Sequence, residues 1–399
     1  MQNTRGESTV ESLPAVPISR YLSLKLRVIT LISVCAVVVV HAYNLNSRFL
    51  AGENGPEAPG VPGLVGFIEY LCSQALTRWP AALLFAISGF LFFRNLDFVV
   101  AQYVAKYRSR LRSLVVPYLL WSAWGLLVFA VVHRFALGGG LVTSGSGRLS
   151  PPGALRLLFV DPVAYPLWFL QALILCVAAP PLLYLLVRGL RLAAPLVFVP
   201  AWLLDLEYTN YINFKALTFF TLGAVVAVTL RRGWAAPWAP LTRGADPEGA
   251  RPAPGAVALG RYLLPVFVGS AIVFSALLRD SEATWAALLH KGLMVLAVAA
   301  MWFGYDAYLR GLARRPRVLW LTGFSFFLFV AQEPVLMIVK RGLLRVLGSS
   351  DAAVLAAYFL TMAITVAVCL AAGWALRAVA SPFYAVLTGR RSKAPAPAG

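Results

Sequence analysis

The chain has 399 residues, of which 60% are hydrophobic and 13% charged, and its mean hydropathy is +0.76. That is more apolar surface than one soluble core of this size can hide, which excludes a soluble globular domain. The formal charge of +19 would suggest a nucleic-acid partner in a soluble protein, but here Lys and Arg cluster in short segments between apolar blocks, where they orient membrane helices, so no nucleic-acid binding is expected.

Apolar blocks of about 18 to 25 residues recur along the chain, each long enough to cross ~30 Å of hydrocarbon as a helix. The expected fold class is all-α, a polytopic membrane bundle of about ten transmembrane helices. Their centres fall near Ala36, Ile87, Leu126, Ile174, Pro200, Leu222, Val268, Val295, Phe329 and Ile364. The fifth, Ala193 to Asp205, is short and contains Pro195 and Pro200. Residues 1–24 read as a cytoplasmic tail without a removable signal peptide, 25–380 as the membrane domain and 381–399 as a second cytoplasmic tail. With Met1 inside, most of the 35 Lys and Arg fall in inside segments. These are the N-terminus, 94–113, 188–191, 231–261, 310–317 and the tail from Arg377, a bias that sets the orientation. Lys340, Arg341 and Arg345 oppose it, at the outer end of the ninth span, where they either snorkel to outer headgroups or meet a polar acceptor.

The first span, ending in "VCAVVVVHAYN", carries one of only three histidines, His41, about 21 Å along the helix from Arg27. Two readings fit this residue alone. One is a structural His hydrogen-bonded between helices; the other is a proton acceptor in a wet cavity, for which its ordinary pKa of ~6.5 suits it. Next in order, 97–112 alternates apolar residues with Lys106, Arg108, Arg110 and Arg112, and reads as a basic amphipathic helix on the inner leaflet that anchors the bundle or holds a polyanion. The "GGGLVTSGSG" stretch over 138–147 lacks the Gly-Lys-Ser/Thr ending of a phosphate loop and reads as a flexible outer loop. The Pro/Ala/Gly-rich 233–260 reads as an inner connector. Cys35, Cys72, Cys176 and Cys369 have no metal-type spacing, and no metal site is expected. His290 with Lys291, His133 with Arg134, and Asp205, Glu207 and Lys215 read as boundary or outer-mouth residues.

Five stretches in order, "KLRVITLISVCAVVVVHAYN", "LTRWPAALLFAISGFLFF", "KYRSRLRSLVVPYLLWS", "YPLWFLQALIL" and "FSFFLFVAQEPVL", together resemble the acyltransferase 3 family of membrane-bound acyltransferases from about Lys25 to Ala380. The "HAYN" context is similar to the HSYN branch of that family. The resemblance implies that His41 is the catalytic base. It also matches Arg78, Pro80, Phe85, Ser88 and Gly89, then Lys106, Arg110, Pro117, Tyr118 and Trp121, and then Leu167, Trp168, Phe169 and Leu170 to family elements. Two departures stand out. Thr30 occupies a place that is basic in many relatives, with Arg27 and Lys25 further off. Gln332 replaces a family histidine ahead of Glu333 and Pro334, and Gln hydrogen-bonds without carrying a proton.

The implied function is O-acyl, chiefly O-acetyl, transfer in a bacterial cytoplasmic membrane with both termini cytoplasmic. The donor is acetyl-CoA or another acyl-CoA used as a substrate, with no permanently bound cofactor. Its phosphates would rest on Lys106, Arg108, Arg110 and Arg112 with Arg27. His41 would take the proton of an acceptor hydroxyl, on an extracytoplasmic glycan or lipid-linked sugar, and Arg78 or Gln332 would stabilise the oxyanion. Glu333 would orient His41 or pair with Lys340 or Arg341. Two rivals remain at this stage: a transporter or flippase of an envelope glycan precursor, and a family member whose Gln332 marks a binding or assembly role.

Overall fold

The computed structural model describes residues 15–50, 63–97, 99–134, 151–206, 211–234, 251–348 and 350–389. Within them the secondary structure is helical, with no strand among the described residues. In order, the helices are α1 (Arg20–Leu50), α2 (Gly63–Tyr70), α3 (Pro80–Phe93), α4 (Val100–Arg110), α5 (Val116–Arg134), α6 (Pro151–Phe159), α7 (Trp168–Ala178), α8 (Pro180–Leu190) and α9 (Val199–Leu203). They continue with α10 (Phe214–Arg232), α11 (Pro254–Leu278), α12 (Thr284–Gly304), α13 (Pro316–Thr322), α14 (Ser325–Leu347), α15 (Asp351–Val379) and α16 (Ser381–Leu387). The glycine-rich 138–147 stretch and most of the 233–260 connector lie outside the described residues.

Among the described residues, eight helical stretches are long and apolar enough to cross a bilayer. The pair α13 and α14 makes nine if taken as one span bent by 67°, and the apolar helix over Tyr165–Ala178 is shorter than these. The division of the fourth and fifth spans differs from expectation. Pro180 and Pro181 cannot continue the hydrogen-bond ladder of α7, so the chain breaks there. It then runs through Pro180–Leu203 as one apolar stretch containing Arg188 and Arg191. The basic 97–112 segment likewise is not separate from the third span, because α4 leads into α5 through a wide π-type turn at Leu111–Val115. It buries no residue, and Val100, Val104 and Leu111 are exposed.

In lipid, helices associate through close packing rather than water exclusion, so contacts favour glycine. Helices α3 and α10 form the tightest example. A Cβ on Gly89 would meet the Phe220 carbonyl oxygen at 2.0 Å, and one on Gly223 would meet that of Ala86 at 1.9 Å. The two glycines thus serve the same seam from opposite sides, which gives a physical reason for the glycine in "FAISG". Gly260 does the same for α11 against the backbone of α12, 2.1 Å from the Phe303 oxygen.

Polar contacts gather the basic segments at one face of the bundle. The Val16 and Arg94 backbones bond at 2.9 Å, Lys25 pairs with Asp306 at 2.7 Å, and Arg231 pairs with Asp97. The opposite face carries the far end of α1 with His41. This two-faced distribution is what the positive-inside pattern leads one to expect.

Candidate functional site

His41 lies on α1 with 5% of its surface exposed. Its ring meets Tyr165 edge-on, at a centroid separation of 5.3 Å and an interplanar angle of 77°. Tyr165 is placed by the "YPLW" sequence. Ala164 is extended, Tyr165–Leu167 form one 3-10 turn with Pro166 near its start, and Trp168 opens α7. The rest of that motif is packing: Phe169 stacks 4.4 Å from Phe85 and 5.6 Å from Phe329, so α3, α7 and α14 meet around one aromatic group.

Arg78 follows the wide turn Leu71–Ala75 and precedes Pro80, the first residue of α3. Its Nε donates to Gln74 Oε1 at 2.6 Å. Tyr43, Tyr70 and Tyr165 all lie within electrostatic reach of the guanidinium, which is nevertheless solvent-accessible. Tyr43 and Tyr70 are half-buried and Tyr165 is exposed, so Arg78 sits on an accessible, tyrosine-flanked part of the bundle. Tyr165 meets the His41 ring and lies within electrostatic reach of Arg78, so two of the expected site residues have this tyrosine as a common neighbour. The Gln74 carbonyl also receives His290, whose Nε2 is 2.9 Å away and whose ring stacks on Phe274.

Helix α14 packs along α1. Gln332 is fully buried, and its Nε2 donates to the Phe329 carbonyl at 2.9 Å while its Oε1 accepts no hydrogen bond. Glu333 is half-buried beside it, and Pro334 sits inside the helix. The outer-face conflict noted for Lys340 resolves inward: its amine is completely buried and donates to the Ala42 carbonyl at 2.5 Å, one residue beyond His41. The carboxylate acting on it is that of Glu69, itself fully buried on α2. Burial at this depth opposes a charge on the amine, while the Glu69 carboxylate and the Ala42 carbonyl favour it. Nearby, Ser73 joins the Val39 carbonyl (2.9 Å) to the Tyr358 hydroxyl (2.5 Å), tying α1 to α15.

At the opposite face the expected phosphate-binding cations are partly engaged. Arg27 donates to Thr322 Oγ1 (3.1 Å) and the Leu319 carbonyl (3.2 Å), so it caps the C-terminal end of α13, where cations are favourable. Lys106 donates to the Phe92 carbonyl and to Asn95 Oδ1, capping α3. Arg110 is half-buried, whereas Arg108 and Arg112, four residues apart, are exposed on one face. Sequence reasoning missed Tyr165, Glu69 and the Lys25–Asp306 pair. Glu69 carried a usable signal, being the one carboxylate inside the apolar stretch Gly63–Phe93. Tyr165 carried none, since its role depends on a contact between residues 124 positions apart.

Fold and site together define an integral membrane protein with a buried polar site built around a histidine inside a helix bundle. The acyltransferase 3 family model, described as an acyltransferase domain, matches residues 26–374, and the chain belongs to this family. The chain is also similar to the succinoglycan biosynthesis protein ExoH of Rhizobium meliloti (strain 1021), 28% identical over 209 residues. That match takes in 51% of this chain and 53% of the relative, so it spans about half the length of each. No solved structure matches.

Proposed function

We propose that this protein is a membrane-bound O-acyltransferase that moves an acyl group, chiefly acetyl, from cytoplasmic acyl-CoA to a hydroxyl of an extracytoplasmic or lipid-linked glycan. The observation that carries the reading is the edge-on contact of buried His41 with Tyr165, which lies within electrostatic reach of the exposed Arg78. The glycan acceptor is suggested by the relative's part in succinoglycan biosynthesis.

In this reading a His41 ring nitrogen takes the proton from the acceptor hydroxyl, and the oxygen attacks the thioester carbonyl. The resulting oxyanion is stabilised by Arg78, with Gln332 as the alternative donor. As the tetrahedral centre collapses, the C–S bond breaks and the CoA thiolate takes the proton back from the imidazolium. The thioester energy suffices, so no further co-reactant is needed. Glu333 orients His41 in this scheme, and the turn bearing His41 is steadied by Lys340 through Ala42. The donor enters from the face of Arg108 and Arg112, which retain free surface for phosphates, with Lys106, Arg110 and Arg27 behind them. In this reading the protein lies in a bacterial cytoplasmic membrane with both termini cytoplasmic, in keeping with the basic bias of the inside segments.

Membranes containing wild type or His41→Ala are incubated with radiolabelled acetyl-CoA, and label is followed into glycan and lipid fractions. Label present in wild type and lost in His41→Ala supports the reading. Label that persists in the variant, or a glycan precursor whose export needs the protein but not His41, overturns it in favour of a transporter.

A further inference from the structure

At the face that carries Asp97 and Lys106, the end of α10 lies beside the end of α8, and a cavity of about 400 Å³ opens between them. Its lining includes Arg191, Thr229 and Trp234, with Leu190, Leu192 and Ala193. The Arg191 guanidinium carbon is 5.2 Å from the Trp234 ring centre, and that of Arg232 is 5.5 Å from the same ring. Two cations therefore share one indole. Arg232 also donates to the Tyr184 hydroxyl at 2.6 Å. No ion pair engages either guanidinium among the described residues.

Behind the cavity wall, the Thr229 hydroxyl and the Nε of Arg232 are buried without a hydrogen-bond partner, so neither is open to a ligand. Arg191 holds a φ of +52°, a conformation that a residue with a Cβ adopts only under local constraint. The acyl-transfer scheme uses none of these groups, and of the two guanidiniums only that of Arg232 joins α10 to α8, through Tyr184.

We propose that this cavity binds a phosphate ester. A phosphate brings several acceptor oxygens of fixed spacing, which suit the forked donors of Arg191, while Arg232 adds a second cation at the shared indole. Helices α8 and α10 both end here, so their dipoles oppose an anion and the attraction must come from the guanidiniums themselves. Binding should accordingly be sensitive to each of them. Two sources carry this chemistry: the phosphates of a nucleotide-bearing acyl donor, and the headgroup phosphate of an anionic lipid in the adjoining leaflet. The site stands apart from the acyl-transfer reading; only its donor arm rests on that reading.

The test uses the full chain in nanodiscs. In one arm, coenzyme A is titrated into protein in phosphatidylcholine; in the other, retention of phosphatidylglycerol is measured by native mass spectrometry. For Arg191→Gln/Arg232→Gln we expect at least roughly tenfold weaker binding in one arm, since each charge-assisted contact contributes of order one factor of ten. Loss in the coenzyme A arm assigns the site to the donor, and loss in the phosphatidylglycerol arm assigns it to lipid. Unchanged binding in both arms overturns the site. Should the double variant fail to fold, Arg191→Gln alone carries the test, because that side chain is exposed and holds no structural hydrogen bond. His41-dependent label transfer is scored separately, so a null result here leaves the acyltransferase reading standing or falling on its own assay.

Discussion

The buried amine of Lys340 donates to the carbonyl of Ala42 at 2.5 Å, so a lysine on α14 grips the turn of α1 that carries His41. A cation at that depth is held by Glu69 and by the carbonyl dipole, and it transmits the position of α14 directly to the histidine. Lys340→Met removes the grip while keeping most of the packing volume. We expect it to lower acetyl transfer about tenfold, in line with the ~1.5–3 kcal/mol typical of hydrogen bonds to charged groups, while the protein still inserts. Transfer assays on membranes with matched protein levels check this; full activity in Lys340→Met would show that the grip has no bearing on the reaction.

Tyr165 meets the His41 ring edge-on, so ring support and the phenol hydroxyl are separable by substitution. Tyr165→Phe should therefore retain most activity, and Tyr165→Ala should lose several-fold or more, since edge-to-face pairs contribute ~0.5–1.5 kcal/mol beyond area burial. The comparison of kcat in the two variants decides between ring support and a role for the phenol proton.

The Lys25–Asp306 pair is buried on both sides, at 4% and 3% side-chain exposure, with Tyr21 donating to the same carboxylate at 2.5 Å and Trp302 stacked 4.0 Å from the amine. Asp306→Asn leaves the lysine uncompensated and should destabilise the protein by about 3–5 kcal/mol. Lys25→Met combined with Asp306→Leu should recover much of that loss, because the double change removes the desolvation cost along with the attraction. Thermal unfolding of the single and double variants in detergent measures both.

The seam between α3 and α10 leaves no room for a methyl group at Gly89 or Gly223. Gly89→Ala should cost at least about 1–3 kcal/mol as the backbones are forced apart. Gly269→Ala, with nothing within 4 Å, should be neutral or slightly stabilising. The melting temperatures of the two variants should separate in that order.

Asp97 lies between the spans, where its carboxylate accepts from Gln102 and pairs with Arg231. These contacts hold its pKa below the usual carboxylate value, the Gln102 hydrogen bond contributing most. A depressed folded pKa means the stabilisation is complete above the ordinary carboxylate pKa of ~3.9 and is lost as pH falls through the folded value. Melting temperature should thus decline below about pH 4 in wild type, with the decline reduced in Asp97→Asn.

The amino-acid sequence by itself determined the class of fold, because apolar length and basic clustering are properties of contiguous stretches: a block long enough to cross the hydrocarbon core must be a helix whatever its neighbours do. It made His41 conspicuous as a titratable group inside such a block, while Arg78 was named through the family resemblance, which the match to the acyltransferase 3 family bears out at the level of the family. The tertiary structure decided the rest. That Tyr165 supports His41, that Lys340 turns inward to Ala42 rather than outward to headgroups, and that Arg27 and Lys106 cap helices are outcomes of contacts between distant parts of the chain. A long cation near a helix end has several acceptors within reach, and only the packing of α1, α3, α13 and α14 against one another settles which carbonyl it meets.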